Sequence, residues 1–176
     1  MTEPPVLKRL NPTDIRPPFD CDDSDLNEFF TKDSVVSGKE LLSVTYILEQ
    51  NNKTIAFFSV SNDSIKKENV PSSRFKKIIK SIPHEKRYSS LPAVKVGRFA
   101  TCKGLQRQGI GTALLDFIKV WFTQGNKTGC RFIIVDAYNK SHTIMFYQKN
   151  GFEFLIEEDS GDKTRLMFFD LITFKK

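Results

Sequence analysis

Long apolar runs, histidines and paired cysteines are all scarce in this chain. No apolar stretch approaches the roughly 18 residues needed to span a bilayer. The longest uninterrupted one, Phe132-Ile133-Ile134-Val135, is the size of a strand. There are three cysteines, Cys21, Cys102 and Cys130. Their odd number and the lack of C-x-x-C spacing speak against a disulfide framework or a zinc site. His84 and His142 are the only histidines, too few for a His-rich metal site. The opening Met1-Thr2-Glu3-Pro4-Pro5 has neither the basic start nor the apolar stretch of a signal peptide. Internal repeats, low-complexity segments and an interdomain linker are also absent. These absences lead to the expectation of a reduced, cytoplasmic protein with no metal and no membrane span.

What is present is enough apolar material for a core. The 176 residues are 39% hydrophobic and include 16 Phe, which suits one packed domain over residues 1–176. The net charge of +6 is unevenly spread. Between Lys66 and Arg98, ten Lys and Arg residues face only Glu68 and Glu85. Such a segment suits contact with phosphate, on a cofactor or a nucleic acid, and equally suits a solvated basic helix.

The pattern of apolar positions predicts alternating strands and helices. Val6 to Leu10 reads as a first strand. Asp22-Asp23-Ser24 offers capping oxygens to a helix carrying Leu26, Phe29 and Phe30, with Ser37-Gly38 interrupting or ending it. Ser43 to Gln50 and Thr54 to Ser61 read as strands joined by a hairpin at Asn51-Asn52-Lys53. Arg74 to Ile82 reads as a short helix stopped by Pro83, and Ala93 to Ala100 as a buried strand. From Gly109 onward, Ile110, Ala113, Leu114, Phe117, Ile118, Trp121 and Phe122 form an apolar stripe at helical period, ended by Gly125-Asn126. Cys130 to Asp136 is a strand, and Ser141 to Asn150 a helix closed by Gly151. Phe152 to Glu157 and Arg165 to Leu171 are strands joined through Asp159-Ser160-Gly161-Asp162. The fold class expected is α/β in the mixed α+β sense: a central mixed, twisted sheet of about six to seven strands flanked by helices.

Gln106-Arg107-Gln108-Gly109-Ile110-Gly111-Thr112 lies between the buried strand and the best helix. Glycines there allow close backbone approach. The first helical turn offers unpaired N–H groups and a positive dipole end, an anion site suited to pyrophosphate. Gly104 and Gly109 have P-loop spacing, but Ile110 stands where Lys is required. Gly109 and Gly111 begin a dinucleotide fingerprint, but Leu114 takes its third place. The pattern that fits is Q/R-x-x-G-x-G/A, through Gln106, Gly109 and Gly111.

In this motif the chain resembles the GNAT acetyltransferase superfamily. The resemblance extends through Val94 to Ala100, Asp136-Ala137-Tyr138-Asn139, and Phe146-Tyr147-Gln148-Lys149-Asn150-Gly151-Phe152, which is similar to an F-Y-x-x-x-G-F signature. It implies acetyl-CoA as cofactor, its pyrophosphate on the backbone of Arg107, Gln108, Gly109, Ile110, Gly111 and Thr112. It further implies Phe99, Ala100 and Thr101 along the pantetheine arm, with Asn139 and Phe146 beside it. Tyr147 would act as general acid toward the departing thiolate, against the alternative of a core aromatic. Cys102, Cys130 and His142 are expected to pack, cap or face solvent. No covalent intermediate is then needed, because direct attack by an amine suffices.

Many relatives place a glutamate on the central strand as base, whereas this chain has Lys95 and Arg98 there. A missing base favours an acceptor near pKa 7.7–8.0, an α-amino group, over lysine at about 10.4. Phe19-Asp20-Cys21, followed by Leu26-Asn27-Glu28-Phe29-Phe30, and Val96-Gly97-Arg98-Phe99-Ala100 resemble one branch of the superfamily. That branch includes toxins of toxin–antitoxin pairs that acetylate aminoacyl-tRNA. The resemblance implies charged tRNA as acceptor and an antitoxin as partner. Arg74, Lys76, Lys77, Lys80, Lys86, Arg87 and Arg98 would make the contacts, with Phe75 and Tyr88 available for stacking. A small-molecule amine, a protein amine and a non-catalytic acyl-CoA-binding module stay open as alternatives, as does a homodimer.

Overall fold

The computed structural model describes residues 4–126 and 128–174; of the opening segment, Met1-Thr2-Glu3 lies outside them. The strands are β1 (Val6–Leu10), β2 (Val44–Gln50), β3 (Lys53–Lys66), β4 (Ser90–Thr101), β5 (Phe132–Tyr138), β6 (Glu153–Phe154) and β7 (Thr164–Asp170). The helices are α1 (Ser24–Glu28), α2 (Ser34–Lys39), α3 (Ser72–Ile79), α4 (Ile110–Thr123) and α5 (Ser141–Lys149). The fold is mixed α/β: one sheet of seven strands, ordered β1-β2-β3-β4-β5-β7-β6, flanked by helices. Backbone contacts divide the chain into two compact units, and β3, β4 and α4 each contribute residues to both.

The first unit lies within Met1–Ser61 and Val96–Asp116. Its hairpin is tighter than the expected three-residue turn. Gln50 pairs with Lys53, and Asn51 and Asn52 sit at φ +51° and +58°, the two left-handed positions of a type I′ turn. Leu10, Cys21, Phe29, Phe30, Ile47, Phe57 and Ala100 form its core. Ser37-Gly38 does not end the first helical region, which runs on to Lys39. Gly38 lets Pro12 approach, since a Cβ there would meet the ring at 3.0 Å.

What departs from α-helix is Phe29–Asp33, a π-helical segment between α1 and α2. Phe29 and Phe30 are adjacent and both buried. The wider turn brings both rings onto Phe57, at 6.2 and 5.0 Å between centroids. Two hydroxyls satisfy carbonyls around it: Thr31 Oγ1 donates to Asn27 O (3.0 Å) and Ser34 Oγ to Phe30 O (2.8 Å).

The second unit lies within Asn62–Lys95 and Phe117–Lys176. β3 extends past the expected end at Ser61 because Ile65, 1% exposed, still buries on the sheet while Asn62 and Asp63 face water. α3 begins at Ser72 and stops at Ile79, three residues before the expected Ile82. Pro83 disfavours helical backbone at Ile82, and the chain leaves through an Ile82 N to Ile79 O turn of 2.8 Å. Phe75, Ile78 and Ile79 join Leu91, Ala93, Phe132, Ile134, Leu155 and Phe168 in one apolar cluster. The last hairpin is shorter than expected, with only Glu153 and Phe154 in β6. Asp159 turns inward instead, accepting from Arg165 Nε at 2.7 Å.

On α4 the expected stripe is rotated. Leu114, Leu115 and Ile118 are buried, but Phe117 and Trp121 are 39% and 37% exposed. Lys119 takes the buried place. It donates to Asn150 O at 2.9 Å and lies over the rings of Phe169 and Phe174 at 4.6 and 5.3 Å. A carbonyl and two ring faces compensate the ammonium, so a cation is buried at a position outside the expected apolar stripe.

The Arg165–Asp159 pair has side chains 10% and 9% exposed. Removing one partner of a buried pair strands the other charge, at a cost of about 3–5 kcal/mol. Asp159→Ala is therefore expected to lower the urea midpoint by a corresponding amount, whereas Glu157→Ala, exposed beside the same arginine, shifts it little.

Candidate active site

Between β4 and α4 the chain must turn while leaving its amides open, and a clamp of side chains does this. Asp20 Oδ1 accepts from the Asp22 N–H and from Asn27 Nδ2, both at 2.9 Å, and Asn27 Oδ1 accepts from the Cys21 N–H at 3.0 Å. Onto this knot the Lys103 N–H donates to Asp20 O at 2.9 Å, and Lys103 Nζ pairs with Asp20 Oδ2 at 3.0 Å. Gln106 Nε2 bridges Cys21 O at 3.0 Å and Thr101 O at 3.2 Å. The Asp22 N–H, Lys103 and Asn27 together hold the Asp20 carboxyl down at about 2. This lies below its unfolded value, so the charged clamp persists through neutral pH and loosens only as pH falls from about 4 toward 2. The F-D-C and L-N residues of the sequence motif therefore act as an anchor for the loop. The Gln106 side chain, through Nε2, holds the start of this loop.

Beyond Gln106 the backbone turns through Arg107 at φ +61° and Gly109 at φ +84°. A Cβ on Gly109 would meet nothing within 4 Å, so the approach to the backbone is open. The first helical hydrogen bond runs from Ala113 N to Gly109 O at 2.9 Å. This leaves the N–H groups of Ile110, Gly111 and Thr112 without helical acceptors. No acidic residue stands in the first turn of α4. Free amides, a dipole end and exposed Arg107 make a donor set that fits a pyrophosphate. Leading into it, Ala100 turns its side chain into the core, while Phe99 and Thr101 are half-buried on the alternate side.

In the second unit, Tyr147 of α5 is 7% exposed. Its ring meets Phe146 at 5.2 Å and Phe152 at 5.3 Å, both edge-on. Burial pushes its phenol well above the ordinary tyrosine range, so the proton stays on oxygen at neutral pH. Asn139 Nδ2 donates to Ser160 O and Asp162 O, both at 3.0 Å, holding the turn before β7.

The basic residues divide into two sets. Arg74 donates to Phe154 O at 2.6 Å and to Glu153 Oε2 at 3.1 Å, and lies over Phe168 at 5.2 Å, so it clamps the second unit. Phe75, 1% exposed, is core and not available for stacking, because its spacing with Ile78 and Ile79 puts it on the inner face of α3. Lys76, Lys77, Lys80, Lys86, Arg87 and Tyr88 are exposed. Lys80, Lys86 and Arg87 line an open cavity of about 610 Å³ with His84 and Glu85. In the first unit Arg98 is half-buried over the Phe29 ring at 5.0 Å; its Nη1 donates to Gly97 O, and its Nε has no partner. Burial raises the Cys21 thiol and pushes that of Cys130 up to about 11, so neither supplies a thiolate nucleophile.

Asn27→Ala removes both arms of the clamp. It is expected to lower the thermal midpoint of the first unit and to weaken acetyl-CoA binding in calorimetry, while the second unit's amide protection is unchanged.

Three solved structures share the fold. AtaT complexed with acetyl-methionyl-tRNAfMet is 24% identical with a TM-score of 0.78, covering 98% of each chain. A tyrosine-to-phenylalanine mutant of AtaT bound to the C-terminus of the antitoxin AtaR is 20% identical, TM-score 0.75, covering 97% of this chain and 94% of that one. A tyrosine-to-phenylalanine mutant of KacT is 21% identical, TM-score 0.74, covering 97% of each. The acetyltransferase (GNAT) domain matches residues 42–154, well over half of the sequence. By that match the chain belongs to the GNAT acetyltransferase family.

Proposed function

We propose that this chain is an acetyl-CoA-dependent N-acetyltransferase whose acceptor is the α-amino group of aminoacyl-tRNA. The observation that carries the cofactor assignment is the first turn of α4, where the amides of Ile110, Gly111 and Thr112 lie ahead of the first helical hydrogen bond, behind a glycine whose Cβ position is open. Arg107 to Thr112 hold the pyrophosphate, with the Gln106 side chain fixing the loop that presents them. The backbone of Phe99, Ala100 and Thr101 takes the pantetheine arm. Phe146 lines that arm, and Asn139 reaches it through its side-chain oxygen, its nitrogen being occupied. Bound acetyl-CoA supplies an activated acetyl thioester. Tyr147 keeps its proton through neutral pH and donates it to the sulfur as the C–S bond breaks. The domain is proposed to comprise residues 1–176.

The acceptor assignment rests on charge and on kinship. Lys76, Lys77, Lys80, Lys86 and Arg87 are solvated and face no buried carboxylate, as phosphate contacts require. AtaT, of the same fold, has been seen with acetyl-methionyl-tRNAfMet and with an antitoxin. By analogy, an antitoxin partner is proposed to cover the exposed lysines, and an enzyme working on charged tRNA belongs in the cytoplasm.

Transfer of labelled acetyl from acetyl-CoA to total tRNA, charged and uncharged, tests this. Label is expected on charged tRNA alone and absent with Tyr147→Phe, which still binds acetyl-CoA. Label on neither, from protein that binds acetyl-CoA, overturns the acceptor; undiminished transfer by Tyr147→Phe removes it as the acid. Lys76→Ala and Lys77→Ala are each expected to weaken tRNA binding about equally for all tRNAs and to reduce the salt slope by about 1, while Arg74→Ala lowers stability instead.

A further inference from the structure

Three buried polar side-chain atoms have no partner among the described residues: Ser43 Oγ, Thr45 Oγ1 and Arg98 Nε. All three lie in the first unit, and they lie together. By strand alternation Thr45 shares a face of β2 with Ile47, Ser59 a face of β3 with Phe57, and Arg98 a face of β4 with Ala100. Ile47, Phe57 and Ala100 belong to the apolar core of that unit. Thr45 is paired with Ser59. The Cys102 N–H donates to Ile55 O at 2.9 Å, and counting from that bond along the neighbouring strands sets Arg98 opposite Ser59. An apolar row across three strands is therefore followed by a polar one, Thr45, Ser59 and Arg98, with Ser43 two residues beyond Thr45.

Stability does not call for this row. Thr45 is 3% exposed, and a buried hydroxyl that bonds nothing loses its hydration without return. Valine would fill the same space. Arg98 is held in place from two directions: its guanidinium lies over the Phe29 ring at 5.0 Å, and Nη1 donates to Gly97 O at 2.9 Å. The Nε edge is left over. Nε and Nη2 make the side-on fork that matches two oxygens of a carboxylate or a phosphate. Among the described residues no carboxylate pairs with this guanidinium, and the groups beside it in the row are neutral hydroxyls. One cation among neutral donors balances one negative charge, so the set suits a monoanion.

We propose that Arg98, Thr45 and Ser43 form a buried subsite for one monoanionic oxyanion of the acceptor, a backbone phosphodiester, an inference that rests on the aminoacyl-tRNA reading above. Every internucleotide link of a tRNA carries such a group. The fork takes its two anionic oxygens, and the hydroxyls donate to whichever oxygen reaches them. This subsite differs in kind from the exposed lysines of the second unit. A contact made by a buried guanidinium is screened little by salt, whereas contacts at a solvated lysine are screened strongly. The fork also fixes where the phosphate sits, which a point charge on a flexible stem does not. On β4 Arg98 directly precedes Phe99, whose backbone is proposed to take the pantetheine arm. A side-chain carboxylate on the aminoacyl group has the same chemistry, and the experiment separates the two sources.

The test is equilibrium binding of tRNA, charged and uncharged, by Arg98→Gln and Thr45→Val, with Arg98→Lys, which keeps the charge and loses the fork, should the first variant fail to fold. Arg98→Gln is expected to weaken binding of both forms about 30-fold, and Thr45→Val about 5-fold, with acetyl-CoA affinity unchanged. Thr45→Val removes an unpaired hydroxyl and keeps the shape, so its thermal midpoint should hold or rise. The Arg98→Gln loss should persist from about 0.05 to 0.3 M salt, while that of Lys76→Ala fades. A loss confined to tRNAs charged with aspartate or glutamate overturns the phosphodiester and gives the fork to an aminoacyl carboxylate. Unchanged tRNA affinity in both variants, or a lowered midpoint in Thr45→Val with tRNA affinity intact, overturns the subsite. Wild-type protein that binds no tRNA overturns the acceptor reading and this subsite with it, a result distinct from variants that bind as well as the wild type.

Discussion

Much of the first unit depends on one requirement: the loop before α4 has to be rigid without using its own amides. A loop that tied itself down by backbone hydrogen bonds would consume the N–H groups that an anion needs. Here the tying is done from outside. Asp20, Cys21 and Asn27 form a knot of their own, and Lys103 and Gln106 attach to it at both ends of the short turn after β4. The glycine and the left-handed Arg107 then direct the chain into the helix with its first amides ahead of the helical hydrogen bonds. The same demand reaches further upstream. The knot is seated by Cys21, Phe29 and Phe30, and the π-helical segment brings both phenylalanines onto Phe57. Distortion of the helix and openness of the loop are thus linked by packing.

A second constraint sorts the cations. The chain carries 27 Lys and Arg against 21 Asp and Glu, yet the net excess is not what the surface displays. Arg74, Lys119, Arg131 and Arg165 each work inside the second unit, against carbonyls, carboxylates and aromatic faces. Desolvating a cation is costly, so each of them needs several partners at once. Among the cations left to solvent are those on the outer face of α3 and in the turn after it. Charge counting alone cannot separate these groups, because Arg74 and Lys76 stand two residues apart with opposite duties.

This explains where sequence reading succeeded. Strand and helix order and the hairpin follow from local patterns, and all are present. Misses arose where a distant partner decided the outcome. The α4 stripe rotated because Asn150, Phe169 and Phe174 together can host Lys119. β6 was cut short because Asp159 had Arg165 to meet. Phe75 was assigned to a ligand because it stands among lysines, but its spacing with Ile78 and Ile79 already marked it as core. Gln106 and Asn27 are legible as motif positions and their partners are not: nothing local says that Gln106 will serve the carbonyl of Cys21, or that Asn27 will join the Asp20 carboxylate to the Cys21 N–H.

Tyr147, in the second unit, shows how burial prepares a proton role. The tyrosine sits among Phe146 and Phe152 in a dry setting that opposes a phenolate, so it holds a proton until a stronger demand takes it. In the proposed transfer a leaving thiolate, desolvated on binding, would be such a demand. An exposed phenol would titrate nearer its ordinary range and hold that proton less firmly, so burial of Tyr147 is part of what the proposed role requires.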